Sequence, residues 1–293
     1  MFKDKNSFEF AIFKFAIKIV NIIGLKNIKY FAKFLAAIFY HVLRIRRDVV
    51  IKNLQTAFPF YDSKKLREIA FNNYFSFSLT FLEAMFIPSL TLKQLHEYVI
   101  PESIEIMQNA YKKGRGVILL TAHFGNWELG AASIGSQLNI PITVLAKPQR
   151  NIYVSDWMDK MRQTFGNKVT LLGTNVREIY KVLLNKGIVG IVGDQRGPKE
   201  GSVRVKLFGQ STCTYPGTAA IALKLKSPII VTLCYRRPDY KYNLLFEEID
   251  LPENYSSTEE GIKYINQKYM EILEKYINLY PEQWFWMHNI WKY

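Results

Sequence analysis

The decapeptide TAHFGNWELG, residues 121–130, holds the most reactive combination in the chain: an imidazole, His123, five positions before a carboxylate, Glu128. His123 closes a run of strand-forming residues and Glu128 opens a helix-like stretch, so residues 124–127 make the connecting turn. Such a turn can fold the Glu128 carboxylate back onto one ring nitrogen, which fixes the tautomer and leaves the other nitrogen as a base. Gly125 permits close backbone approach, and Asn126 offers a donor or acceptor to hold either the turn or a bound group. Phe124 and Asn126 are therefore candidates for substrate contact. On spacing alone, the pair reads equally well as a chance histidine beside a helix-capping glutamate. A G-x-S-x-G serine elbow is absent. The four histidines (His41, His96, His123, His288) are far apart without an HExxH pair, so no metal is expected. Cys213 and Cys234 lack CxxC spacing, which fits a reducing, cytosol-facing location.

The elements that must position these residues alternate. Short β-prone runs at 116–124, 142–148, 188–194 and 228–236 are separated by helix-like stretches near 127–138, 153–165, 176–186 and 216–226. Alternation of this kind predicts an α/β fold, a mixed, mostly parallel sheet covered by helices on both faces. His123 then lies at the carboxyl edge of the sheet, where open α/β folds place their sites. Asp194 and Gln195 end another strand and belong at the same edge, although Asp194 reads also as a turn cap. Lys147 and Arg150, just beyond the 142–148 strand, are candidates for phosphate contact, with a solvated polar loop as the equal alternative.

Residues 8–23, FEFAIFKFAIKIVNII, form an apolar stretch broken by Lys14, Lys18 and Asn21, which share one narrow helix face. Two lysines near its middle argue for a helix lying in a membrane interface rather than crossing it. A second apolar run, 30–43, leads into Arg44, Arg46 and Arg47, a cluster suited to anionic headgroups. With 39 Lys+Arg against 25 Asp+Glu, the formal charge of +14 points to anionic partners without choosing among nucleic acid, lipid and acidic protein. Nucleic acid is not expected, because no nucleic-acid motif accompanies the charge. The pattern from Asp62 to about Pro88 is helical, with an N-cap at Asp62 or Ser63. Residues 1–90 thus read as a helical, membrane-associating segment and residues 91–293 as the α/β domain. A final amphipathic helix, 258–279, precedes an aromatic tail, PEQWFWMHNIWKY, that packs on the body or dips into the interface.

The hexapeptide HFGNWE resembles the H-x4-D/E motif of the lipid A biosynthesis lauroyl/myristoyl acyltransferases, a branch of the lysophospholipid and glycerol-phosphate acyltransferase superfamily. The resemblance extends, in order, through RRDVVIKNLQTAFP (46–59), the stretch from Arg150 to Gly166 containing RQTFG, GIVGDQ (190–195), VKLFG (205–209), PGTAAIALK (216–224) and PEQWFWMHNIWK (281–292). It implies a glycerol-phosphate acyltransferase-like fold at the cytoplasmic face of the bacterial inner membrane, without a cofactor. The implied reaction moves an acyl chain from an acyl carrier protein or coenzyme A thioester to a hydroxyl of a lipid A precursor or related glycolipid. His123 would be the general base, oriented by Glu128. Arg162 matches a basic position of the family and would stabilise the thioester oxyanion or bind a headgroup phosphate. Asp194 and Gln195 would hydrogen-bond the acceptor's sugar or hydroxyl groups. Arg196 and the loop GPKEG depart from the family pattern after Asp-Gln, so a lysophospholipid, an aminolipid or an inositol mannoside stays open as the acceptor.

Overall fold

The computed structural model describes residues 4–171 and 176–292. Four helices lead: α1 (Lys5–Ile23), α2 (Ile28–Ala37), which runs into a π-helical turn at Ile38–Val42, α3 (Arg47–Ala57) and α4 (Ser63–Ala84). The start of α4 follows the capping rule, since the Asp62 side chain accepts from the Lys65 N–H. Then come α5 (Leu92–Tyr98), β1 (Val99–Pro101), α6 (Ile104–Lys112), β2 (Val117–Thr121), α7 (Trp127–Leu138), β3 (Ile142–Ala146), α8 (Ile152–Arg162), β4 (Lys168–Leu171), α9 (Val176–Leu184) and β5 (Ile188–Val192). A hairpin, β6 (Val203–Leu207) and β7 (Gln210–Thr214), turns on Phe208 and Gly209, both with positive φ as a two-residue hairpin requires. α10 (Gly217–Leu225), β8 (Ile229–Arg236), β9 (Tyr242–Ile249) and α11 (Thr258–Leu279) complete the chain before the aromatic tail.

Among the described residues, seven strands form one sheet in the order β1-β9-β8-β2-β5-β3-β4, with β6 and β7 apart. β8, β2, β5, β3 and β4 run parallel, and β9 pairs antiparallel to β8. The central strands are buried along most of their length because helices cover both faces. One face packs on α5, α6 and α7 through Leu95, Met107, Leu129 and Ile134. The other packs on α3, α4, α9, α10, α11 and the tail, with Trp284 and Trp286 fully enclosed. The mixed, mostly parallel α/β architecture expected from the sequence is therefore present.

α1 and α2 form an outer layer. Val20, Ile28 and Ala32 pack on Leu79, Leu82 and Phe86 of the α4 region, while Phe10 stacks on Tyr153 and Phe13 meets Trp157 of α8 edge to face. Among the described residues, no helix is long and apolar enough to cross a membrane.

α4 is joined to the sheet by charge. Arg236, at the end of β8, donates to Ser76 Oγ (2.8 Å), Thr80 Oγ1 (3.0 Å), Tyr242 OH (2.7 Å) and Glu83 Oε2 (3.3 Å). Glu83 also accepts from Tyr98 OH at 2.9 Å and from Asn126 Nδ2 at 3.0 Å. Both charged groups are enclosed, Glu83 at 1% and Arg236 at 8% exposure. Deleting one member of such a pair strands the other charge in the interior, at about 3–5 kcal/mol. Glu83→Ala should accordingly move the urea midpoint far down, and an unchanged midpoint would show that the network does not hold α4 to the sheet.

Candidate active site

The turn after β2 is fixed at every residue. Phe124 bridges Trp284 of the tail, Gly125 N–H donates to Gln283 O at 2.8 Å, and Asn126 N–H donates to Cys234 O at 2.9 Å. Gly125 has φ +57°, and a Cβ there would lie 1.9 Å from the Cys234 carbonyl oxygen, so only glycine fits. Thr80 Oγ1 donates to Gly125 O at 2.8 Å. Asn126 caps α7 by accepting from Leu129 N–H, and its amide donates to Glu83. Phe124 and Asn126 are completely buried, so both hold the turn rather than meet substrate; for Asn126 this is one of the two uses its side chain allowed.

The carboxylate on the imidazole is Asp194. β2 and β5 are parallel neighbours with Thr121 opposite Val192, so residues two beyond each strand end come side by side. His123 Nδ1 and Asp194 Oδ1 are 2.7 Å apart, and the His123 backbone N–H donates to Oδ2 at 2.9 Å. Trp284 Nε1–H donates to the same Oδ2 at 2.9 Å, and Phe285 N–H donates to His123 O at 3.1 Å. With Nδ1–H held by a carboxylate, Nε2 carries the free lone pair. Trp127 and Phe285 flank the ring at centroid distances of 5.0 and 5.8 Å.

Glu128 does not play the part assigned to it from spacing. It sits in the first turn of α7, and both its oxygens receive the Arg162 guanidinium, Nη2 at 2.7 Å and Nε at 3.0 Å. A bidentate pair with α8 determines its direction, and it acts on His123 only through its field. Arg162 is correspondingly occupied, since its remaining terminal nitrogen reaches Asp159 at 3.4 Å.

A cavity of about 680 Å³ opens beside His123. That is within the roughly 300–1,000 Å³ of small-molecule sites. Glu128, Arg162, Lys147 and Gln195 line it with His123. Beyond them the wall is apolar and spans both sheet faces. One arm runs under α7, between Leu119, Ile142, Val144 and Gly190 of the strands and Gly130, Ala131 and Ile134 of the helix. The other lies on the opposite face, among Leu120, Ile179, Ile191 and Ile221. Arg150 is elsewhere: it pairs with Glu9 at 3.0 Å and ties the start of α8 to α1, so it is not at the cavity. Asp194 is also corrected, because its oxygens are committed to His123 and Trp284 rather than to an acceptor hydroxyl. Among the described residues, no group of three His, Cys, Asp or Glu side chains could hold a metal.

The tail belongs to this site, which its composition alone did not indicate. Asn53 of α3 donates to Trp286 O and His288 O, and Asn73 of α4 to Glu282 O and Trp284 O, so two buried amides pin the strap that carries Trp284 and Phe285. Asn53 lies within RRDVVIKNLQTAFP, and its side chain explains one use of that block.

The model of the bacterial lipid A biosynthesis acyltransferases matches residues 6–293. The chain belongs to this family. It is 25% identical over 255 residues to the lipid A biosynthesis palmitoleoyltransferase of Escherichia coli, covering 85% of this chain and 80% of that one. The lipid A biosynthesis lauroyltransferase of the same organism is 26% identical over the same length. A phosphatidylinositol mannoside acyltransferase of Mycolicibacterium smegmatis is 22% identical over 221 residues, 74% of this chain and 70% of that one. The protein is an acyltransferase acting on lipid acceptors.

In this acyltransferase, burial of the His123 ring opposes its protonation, but the charge and hydrogen bond of Asp194 and the field of Glu128 outweigh it. The imidazole pKa is raised above the ordinary value. Burial likewise favours the neutral form of Asp194, yet His123, Trp284 and the backbone N–H hold it below the usual carboxylate range. His288 is lowered, by burial first and then by Arg196, Arg46 and His123, against the opposing charge of Asp194. A raised pKa keeps the ring protonated to higher pH, so a step that needs the neutral imidazole has its acid limb in kcat/KM above that of an ordinary histidine and weakens as pH falls through it. Asp194→Asn should cut kcat/KM by about 10²- to 10⁴-fold and shift the acid limb to lower pH. An unshifted limb would separate Asp194 from the titration of the ring.

Proposed function

We propose that the enzyme transfers a fatty acyl chain from a thioester, carried by acyl carrier protein, to a hydroxyl of a lipid A precursor or related glycolipid, with His123 as general base. The observation that carries this reading is the His123–Asp194 pair at the mouth of an apolar cavity. An alcohol is a poor nucleophile, and a thioester carbonyl is a modest electrophile, so the step needs proton removal during attack. The acceptor O–H donates to Nε2 as its oxygen bonds to the carbonyl carbon. The C–S bond then breaks, and the imidazolium returns the proton to the leaving thiolate. Asp194 holds the tautomer and stabilises the imidazolium; Glu128 and Arg162 brace the wall beside it. No cofactor enters this balance.

The cavity arms suit hydrocarbon, which is excluded from water when the chain lies inside. Gly190 lines the cavity, and a Cβ there would meet Ile142 Cγ2 at 3.2 Å. The charge of +14 suits an anionic donor, an acidic carrier protein or coenzyme A alike, and a phosphorylated or anionic acceptor surface. Lys147 and Gln195 are among the polar cavity-lining groups that an acceptor headgroup would meet.

Within residues 1–90, α1 and α2 form the membrane-facing layer at the cytoplasmic side of the inner membrane, whereas α3 and α4 support the catalytic turn. Phe8, Ile12, Phe15 and Ile22 leave an exposed apolar stripe along α1, with Lys14 and Lys18 also exposed. A helix of that pattern lies in the interface. The second reading of the acceptor, an inositol mannoside, is favoured by the name of the Mycolicibacterium relative alone.

His123→Ala should lower acyl transfer from acyl carrier protein by about 10²–10⁴-fold in a radiolabel assay with membranes. Near wild-type transfer would reject the base. Gly190→Val should shift the transferred chain toward shorter lengths, read by mass spectrometry of the lipid product. Loss of one secondary acyl chain from lipid A in a deletion strain supports that acceptor, and unchanged lipid A excludes it.

A further inference from the structure

The cavity arm on the face opposite α7 also meets polar groups, at α11 and the start of α10. Asn266 of α11 is 7% exposed and forms part of the cavity wall. Its amide nitrogen donates to Thr214 Oγ1 at 2.9 Å and to Tyr215 O at 3.1 Å, and because a backbone carbonyl only accepts, the orientation of the amide is settled. Among the described residues, nothing donates to its Oδ1. The unpartnered atoms sealed from solvent belong to Asn73, Ser78, Ser202, Thr232 and Trp291, so Asn266 Oδ1 keeps accessible surface, and the cavity is what its residue borders. Interiors rarely leave an acceptor unpaired, because its desolvation is then uncompensated.

Donors stand beside it. α10 begins at Gly217 after Pro216, without a side-chain cap, and the bond that opens its ladder runs from Ala220 N–H to Pro216 O at 2.9 Å. The N–H groups of Gly217, Thr218 and Ala219 are therefore left over by the helix. Gly217 and Thr218 line the same cavity, and a Cβ built at Gly217 would meet nothing within 4 Å, so the space at the helix start is open. Asn266 is tied to this helix start through the carbonyl of Tyr215, two residues before Gly217. The charged side chains of the cavity wall other than His123 are Glu128, Arg162 and Lys147, from α7, α8 and the end of β3, and none comes from α10 or α11. An acceptor and a set of donors placed together without a charge are complementary to a neutral amide.

We propose that this arm binds the pantetheine segment of the acyl donor, with a pantetheine amide N–H donating to Asn266 Oδ1 and its carbonyl accepting from the start of α10. The inference rests on the acyl-transfer reading of the cavity. Acyl carrier protein and coenzyme A both present this segment. The reach fits. Tyr269, one turn after Asn266, donates its OH to Thr121 O at 2.8 Å, two residues before His123. Those two steps are about 5–6 Å along the helix face and roughly 7 Å along the strand. The two amides of an extended pantetheine lie roughly 4 and 8 Å from its sulfur, at about 3.3–3.6 Å for every three backbone bonds. A thioester whose carbonyl carbon lies beside His123 Nε2 thus brings the second amide to Asn266. A hydrocarbon chain in this place would leave Oδ1 and the N–H groups unmade, and a phosphorylated headgroup would meet no cation.

The test measures kcat/KM of the purified full chain for dodecanoyl-pantetheine and for an analogue of equal length whose second amide is replaced by methylenes, with isolated bacterial membranes supplying the acceptor. The wild type should use the amide donor about tenfold better, the scale of one hydrogen bond to a group otherwise left unmade. Asn266→Leu should bring the ratio to about one, since a site that pairs with a substrate amide discriminates only while its partner is present. Equal use of the two donors by the wild type overturns the proposal, whether or not the variant folds. So does a ratio retained in Asn266→Leu. Either outcome, with transfer still abolished in His123→Ala, removes the subsite alone; absence of transfer from every thioester removes the acyl-transfer reading with it. Dodecanoyl thioesters of acyl carrier protein and of coenzyme A assign the source: the one used with the higher kcat/KM by the wild type is the donor, and its value should fall about tenfold in Asn266→Leu. An unchanged value overturns the proposal.

Discussion

Three N–H groups converge on the carboxylate of Asp194, from the His123 ring, the His123 backbone and the Trp284 indole, and the rest of the architecture can be read as what makes that convergence possible. Parallel pairing of β2 and β5 sets both residues the same distance past the sheet edge. The tail brings the indole from the far end of the chain, 90 residues from Asp194 in sequence, and two buried asparagines keep it there. Ionised carboxylates are costly to bury, and this one is sustained by charge-assisted hydrogen bonds on both oxygens. The raised imidazole pKa is the electrostatic counterpart of the same arrangement.

Among the described residues, further enclosed or half-buried ion pairs surround this one, including Glu83–Arg236 and Glu128–Arg162. Buried pairs contribute little net stability, because desolvation offsets their attraction. Their geometry is the more telling property. Glu83 links α4, α5 and β8 to the amide of Asn126, while Arg162 links α8 to the first turn of α7. Both pairs therefore end on the segment that follows His123, where a small displacement would separate the ring from its carboxylate and from the cavity.

The sequence disclosed four strands, β2, β3, β5 and β8, and the edge at which His123 lies, because apolar β-prone runs alternating with helical stretches admit few topologies; β1, β4, β6, β7 and β9, shorter or more polar, carry no such run and were not legible. It misdirected the carboxylate. Glu128 is five positions from the histidine, and a turn between them makes contact sterically reasonable, but the helix start aims its side chain at an arginine 34 positions away, a direction only tertiary packing defines. Asp194 was recognisable as an edge residue through the strand that precedes it; its pairing with His123 depends on which strands are neighbours, which periodicity does not encode. The same holds for Trp284, whose indole partner Asp194 is 90 positions away in sequence, and for Glu83 and Arg236, which look like ordinary surface charges in an amphipathic helix and a strand end. Arg150 failed for a different reason: proximity to the strand end did not anticipate that α1 would fold over and supply Glu9. Gly125 and Asn126 were legible as turn residues because their chemistry is local.

The central claim is that the His123 imidazole is held as its Nδ1–H tautomer by Asp194, leaving Nε2 as the base. ¹⁵N-NMR of the histidine rings across a pH titration tests it directly, with Asp194→Asn to assign the effect. The account predicts a His123 ring protonated at Nδ1 when neutral, titrating above the ordinary imidazole value, with both properties lost in the variant. A His123 ring that is protonated at Nε2, or that titrates identically in both proteins, would contradict it.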